Sequence, residues 1–106
     1  MSIETAETAS LRAAIAAHRD ALDTILEGYQ AANPRLFGSV ARGDATSGSD
    51  IDLLVDLMPS GGNELLRVAG IAEELSELLG TRVDVVAASL LRDEVSASAL
   101  ADAVPV

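Results

Sequence analysis

Phe37-Gly38-Ser39-Val40-Ala41-Arg42-Gly43 and, a short way on, Ser49-Asp50-Ile51-Asp52-Leu53-Leu54-Val55 are the stretches from which this chain is read. In the second, Ile51, Leu53, Val55 and Leu57 fall on one side, and Asp50, Asp52, Leu54 and Asp56 on the other. A period of two is the mark of a strand with one buried face. Asp50 and Asp52 therefore leave the same face, with Cα atoms roughly 6.5–7 Å apart. The first stretch is small and polar from Gly38 to Ser49, which suits a loop or a short helix.

Working outward, Leu11, Ile15, His18, Leu22, Ile25, Leu26 and Tyr29 recur at helical spacing, so one amphipathic helix is predicted over roughly residues 7–32. Asn33-Pro34 should end it, and Arg35-Leu36-Phe37 is a short strand candidate. Beyond the Asp-rich strand, Pro59-Ser60-Gly61-Gly62 reads as a turn. Asn63 can cap a helix from Glu64 to Leu79, with Leu65, Val68, Ala72, Leu75 and Leu79 turned inward and Gly80 as its stop. Gly70 sits inside that helix at a cost of about 1 kcal/mol. Arg82 to Val86 is a third strand, and Ser89 can cap a last helix from Leu90 to about Ala101, with Asp93 and Glu94 near its positive end. The expected order is α-β-α-β-α-β-α, an α/β fold with a small mixed sheet flanked by helices, in one domain over 1–106.

Composition narrows the function. Of 106 residues 49% are apolar, with one Phe, one Tyr and no Trp, so aliphatic side chains must fill the core. There is no cysteine, which excludes disulfides, thiolate metal sites and cysteine nucleophiles within this chain. No apolar run approaches the roughly 20 residues that span a bilayer, and the first residues lack the basic start and apolar block of a signal peptide. No membrane association and a cytoplasmic location are expected. The formal charge is −10, with seven arginines and no lysine. Such a surface repels a phosphate backbone, so direct nucleic-acid binding is not expected, whereas a basic protein partner would be favoured. A merely solvated acidic surface is the plainer alternative.

Asp84 alternates with Val83 and Val85 as Asp50 and Asp52 do with Ile51 and Leu53. If the third strand lies beside the second, Asp50, Asp52 and Asp84 meet on one sheet face, where three unpaired anions would repel. A pair of Mg²⁺ ions, with Mn²⁺ as the alternative, would relieve that repulsion. Gly38 lets a phosphate approach the backbone, Ser39 adds a hydroxyl donor, and Arg42, one turn on, can neutralise phosphate charge or instead salt-bridge Asp44 or Asp50. Gly43 should leave the turn with positive φ. Ser49 can cap or orient Asp50 beside the nucleotide. These parts suit an in-line displacement at phosphorus, with Asp84 able to take the proton of the attacking hydroxyl. Asp56, nearer the turn, reads as a solvated acid, His18 as a packed and hydrogen-bonded histidine, Tyr29 as core, and Thr46-Ser47-Gly48 as a loop tip.

Gly38-Ser39, ten residues, Asp50-x-Asp52 and a later Asp84 resemble the signature of the DNA polymerase β-type nucleotidyltransferases. The short length resembles the minimal, MntA-like branch, and the likeness runs from about Leu36 to Val86. It implies a palm-like nucleotidyltransferase fold and a metal-dependent enzyme that takes ATP as substrate. It also implies an antitoxin that moves AMP onto a tyrosine of a HEPN ribonuclease toxin, working in a hetero-oligomer. The competing expectation is a non-catalytic antitoxin that neutralises a basic toxin by binding it. Nucleotidylation of a small molecule and templated polymerisation both need surfaces or domains for which these residues leave little room.

Overall fold

The computed structural model describes residues 4–46, 48–59, 62–90 and 103–106. Its elements run α1 (Ala6–Ala17), α2 (Arg19–Gly28), β1 (Ala31–Phe37), α3 (Gly38–Arg42), β2 (Ile51–Leu57), α4 (Glu64–Leu79), β3 (Val83–Ala87), a 3-10 turn at Ala88–Leu90, and β4 (Val104–Pro105). The sheet order is β3-β2-β1-β4. β1 is antiparallel to β2 and β4, whereas β2 and β3 are parallel, so the sheet is mixed as expected.

Each strand sends alternate residues to the core. Ile51, Leu53 and Val55 of β2 and Val83 of β3 pack with Leu36 of β1, Leu22 and Leu26 of α2, and Ile71 and Leu75 of α4. The opposite face carries the acids, although Leu54 on that face is also fully buried.

Several local expectations change. The predicted first helix is two helices that break at His18, where φ is −112° and ψ 21°. That chain turn lets both Leu11 and Ile15 on one segment and Leu22 and Leu26 on the next reach the same core. Helix α2 ends at Gly28, so Asn33-Pro34 does not stop it. The pair lies inside β1 at a register irregularity between Ala32 and Arg35, with Asn33 at φ 55°. A proline is tolerated in a sheet at such a bulge, where its missing N–H breaks no ladder bond.

Helix α4 has the predicted bounds and caps: Asn63 Oδ1 accepts the Leu66 N–H at 3.0 Å, and Gly80 takes a left-handed conformation. Its inner stripe differs. Arg67, Ile71 and Leu75 are buried, whereas Leu65 is 66% exposed. The Arg67 guanidinium explains the shift, since it donates to the carbonyls of Tyr29, Gln30 and Met58 at 2.9, 2.7 and 3.1 Å. It thus satisfies the chain ends where α2 gives way to β1 and where β2 leaves the sheet. Gly70 also gains a reason: a Cβ there would come within 2.6–2.7 Å of the Tyr29 ring, which lies across the helix backbone. The predicted last helix lies outside the described residues except for Leu90, which closes the 3-10 turn. Among the described residues, no helix is long and apolar enough to cross a membrane.

Candidate active site

The parallel register of β2 and β3 sets Ile51 beside Val83 and Asp52 beside Asp84. The Ile51 N–H donates to the Arg82 carbonyl at 3.0 Å, which carries the pairing back to the residue before β3. Because side chains alternate, positions 50, 52, 82 and 84 form a two-by-two block on one sheet face. It holds three carboxylates and one guanidinium. Arg82 Nε lies 3.4 Å from Asp84 Oδ1 and 3.7 Å from Asp50 Oδ2. Sequence reasoning missed Arg82, although its parity with Asp84 on the third strand was the available signal.

Asp52 is the acid of the block that Arg82 does not touch. Its carboxyl is pushed above its usual range, first by burial, then by the negative charge of Asp84 and of Asp50, while Arg42 pulls it back. Among the described residues, no three acids or histidines gather closely enough to make a ready metal cage. Two of these carboxylates are drawn to Arg82 instead. The donor set nonetheless suits a hard divalent cation in kind. Mg²⁺ takes oxygen ligands and commonly uses only one or two carboxylates, with phosphate and water completing its shell. The negative charge that raises Asp52 is what such an ion would neutralise.

Gly38 opens α3 at φ +70°, and a Cβ there would overlap Asp52 Oδ2. The Asp52 carboxylate therefore rests on the Gly38 α-carbon, which is a tighter demand for glycine than phosphate approach alone. Ser39 follows, half-buried, in the first turn of α3. Arg42 ends that helix and reaches Asp44 at 3.4 Å, so the alternative surface pairing is realised while its charge still acts on Asp52. Gly43 closes α3 at φ +84°, as its position predicted. The Ser49 hydroxyl accepts the Thr46 N–H at 2.8 Å and closes the loop that delivers Asp50.

Helix α1 holds this corner in place, a role the sequence did not announce. Arg12 donates to the carbonyls of Val40 and Ala41 at 2.9 and 3.1 Å and pairs with Glu4 at 3.2 Å. A cation at the end of a helix also suits its dipole. Thr8, fully buried, accepts the Ala45 N–H at 2.9 Å, and the Thr5 N–H donates to the Gly43 carbonyl at 2.9 Å.

The remaining candidates lie elsewhere. Asp56 is bound to Arg35 at 2.7 Å and to Asn33 at 3.0 Å, so it is a half-exposed acid that is also paired. His18 is exposed at the α1–α2 break, where its Nδ1 meets the Ala14 carbonyl at 2.9 Å, and it is not packed. Tyr29 packs against the core edge and donates its hydroxyl to Glu74, which with partial burial and nearby negative charge raises its pKa.

A mixed sheet thus presents acids from two parallel strands beside a glycine-led short helix. The chain belongs to the nucleotidyltransferase domain family, whose model matches residues 17–105. It is thus an enzyme of the nucleotidyltransferase class. It is 41% identical over 71 residues to the protein adenylyltransferase MntA of Thermococcus cleftensis, a match spanning 65% of this chain and 68% of that protein. It is 38% identical over 60 residues to MJ0128 of Methanocaldococcus jannaschii, provisionally named a protein adenylyltransferase, across 57% of this chain and 59% of that one. Among solved structures, a chain provisionally described as a minimal nucleotidyltransferase superposes with a TM-score of 0.75 at 38% identity, covering 91% of this chain and 95% of its own. A chain from a toxin-antitoxin crystal structure with AMP-PNP shares the fold at a TM-score of 0.68 and 19% identity, over 81% of this chain and 69% of its own.

Proposed function

We propose that this chain transfers AMP from ATP to a tyrosine of a protein partner, a HEPN ribonuclease toxin, and so acts as the antitoxin of the pair. The observation that carries the reading is the pairing of Asp52 with Asp84 across parallel strands, with Asp50 on the same face and Gly38 against the Asp52 carboxylate. The adenylyl group and the protein acceptor draw support from the Thermococcus relative. The toxin as acceptor draws support from the Gly38-Ser39 and Asp50-x-Asp52 resemblance.

Asp50, Asp52 and Asp84 would hold Mg²⁺ ions, which when bound polarise the triphosphate and lower the pKa of an attacking hydroxyl. The backbone at Gly38 and Ser39, the Ser39 hydroxyl and Arg42 would seat the phosphates. Ser49 keeps the Asp50 loop closed. The acceptor oxygen bonds to the α-phosphorus as the bond to the β-phosphate oxygen breaks, so pyrophosphate leaves. Asp84 would take the hydroxyl proton.

The test is intact-mass spectrometry of the partner after incubation with this protein, ATP and Mg²⁺. A gain of AMP units that vanishes in Asp50→Ala/Asp52→Ala supports transfer. Full protection of cells from the toxin by that double mutant would instead favour neutralisation by binding. Mg²⁺ with ATP should also raise the melting temperature, because a ligand that binds only the folded state stabilises it.

A further inference from the structure

We propose that Arg82 is a built-in counter-ion of the acidic block, one that divalent cations must displace before the site can load. The inference rests on the metal-dependent reading above and goes beyond it by giving a part to a residue outside the motif. The Ile51-to-Arg82 hydrogen bond and the Asp52–Asp84 register place residue 82 beside residue 50, on the face that also carries 52 and 84. Three of the four corners are acidic, and the fourth is arginine. The side chain then does what the placement permits, since one guanidinium nitrogen, Nε, lies within ion-pair reach of both Asp50 and Asp84.

This arrangement has two effects in the cation-free protein. It offsets part of the repulsion among three carboxylates on one face. It also engages Asp50 and Asp84 with a common cation that leaves Asp52 aside, and among the described residues no three acids gather into a cluster. Arg82 is 73% exposed, so its hold is loose and screened by solvent. A divalent ion, with twice the charge and no side-chain entropy to lose, can displace it. A buried, tightly bonded arginine could not be displaced so readily. Arg82 is therefore a positioning residue, acting through the carboxylates it releases.

The test is titration of Mn²⁺ alone into the protein, with free Mn²⁺ read by electron paramagnetic resonance, for wild type, Arg82→Gln and Arg82→Lys. The Ile51–Arg82 backbone bond is kept by any residue at 82, and the exposed side chain fills no core space, so the variants fold. Arg82→Gln should bind Mn²⁺ about three- to tenfold more tightly, the scale expected when two loose surface pairs are removed together. Its cation-free melting temperature should fall, and its Mn²⁺-induced rise should grow. Arg82→Lys should stay within about twofold of wild type, since it keeps the charge. A purely structural role would weaken Mn²⁺ binding together with stability. Equal or weaker Mn²⁺ binding by Arg82→Gln, with wild type binding normally, overturns the inference and leaves the metal-dependent reading standing. No Mn²⁺ binding by any of the three overturns both.

Discussion

Replacing Gly38 with alanine puts one methyl group where the structure has none to spare. Two costs arise. Gly38 holds φ +70°, a left-handed conformation that costs an L-residue about 1–2 kcal/mol. The new Cβ would also overlap Asp52 Oδ2 and stand 3.2 Å from Asp52 Cγ. The carboxylate is the free end of a rotatable side chain, so it can swing aside at an off-rotamer cost of about 0.5–1.5 kcal/mol. The expected loss of stability is about 2–3 kcal/mol, or a melting temperature lower by about 10–20 °C in a domain of this size. The consequence for transfer is larger. A displacement on the order of 1 Å at a reacting group costs on the order of 100-fold, so AMP transfer should fall by at least that factor at temperatures where the variant is folded. Gly28→Ala is the control, because a Cβ there meets nothing and the residue ends a helix, where alanine is the better former. Thermal unfolding followed by circular dichroism checks the first figure, and single-turnover intact-mass measurements check the second. A Gly38→Ala protein that melts like wild type and transfers within twofold of it would refute the claim that Asp52 rests on Gly38.

Three further outcomes follow from the packing of Arg67, Gly70 and Asp52. Arg67→Met should destabilise the fold by about 2–4 kcal/mol, since three part-buried carbonyls lose a charged donor at once; urea unfolding measures it, and a loss under 1 kcal/mol would show that water replaces the guanidinium. Gly70→Ala, which in an open helix would stabilise by about 1 kcal/mol, should destabilise here because the methyl group strikes the Tyr29 ring, and the usual gain should return in a Tyr29→Ala background. Asp52→Asn should be more stable than wild type at neutral pH in chelator-treated buffer. The folded-state pKa of Asp52 is raised from 3.8, so between that value and the raised one the native state binds more protons than the unfolded chain. Stability then falls as pH rises through that window. The advantage of asparagine should close as pH drops below the ordinary carboxylate range, and an advantage unchanged at acid pH would exclude charge as its cause.

What could be read without coordinates was whatever depends on near neighbours in the chain. Period-two alternation at 51–57 and 83–86 identified two strands and the shared parity of Asp50, Asp52 and Asp84, because a pleat assigns faces by residue count alone. Asn63 and Gly80 marked the ends of α4 because caps act within one turn. What stayed hidden depends on residues far apart in sequence. Leu65 looked like an inner residue, yet Arg67 took the inner stripe, since its carbonyl partners come from the ends of α2 and β2 and no helical pattern contains them. The helix break at His18 satisfies a core shared by two segments. Gly38 is required by a side chain 14 positions later, and Arg82 meets Asp50 only through the register of two parallel strands. Alternation in the chain thus chose which side chains share a face, while strand register and helix docking chose which of them touch, because contact energies act through space and take no account of distance along the backbone.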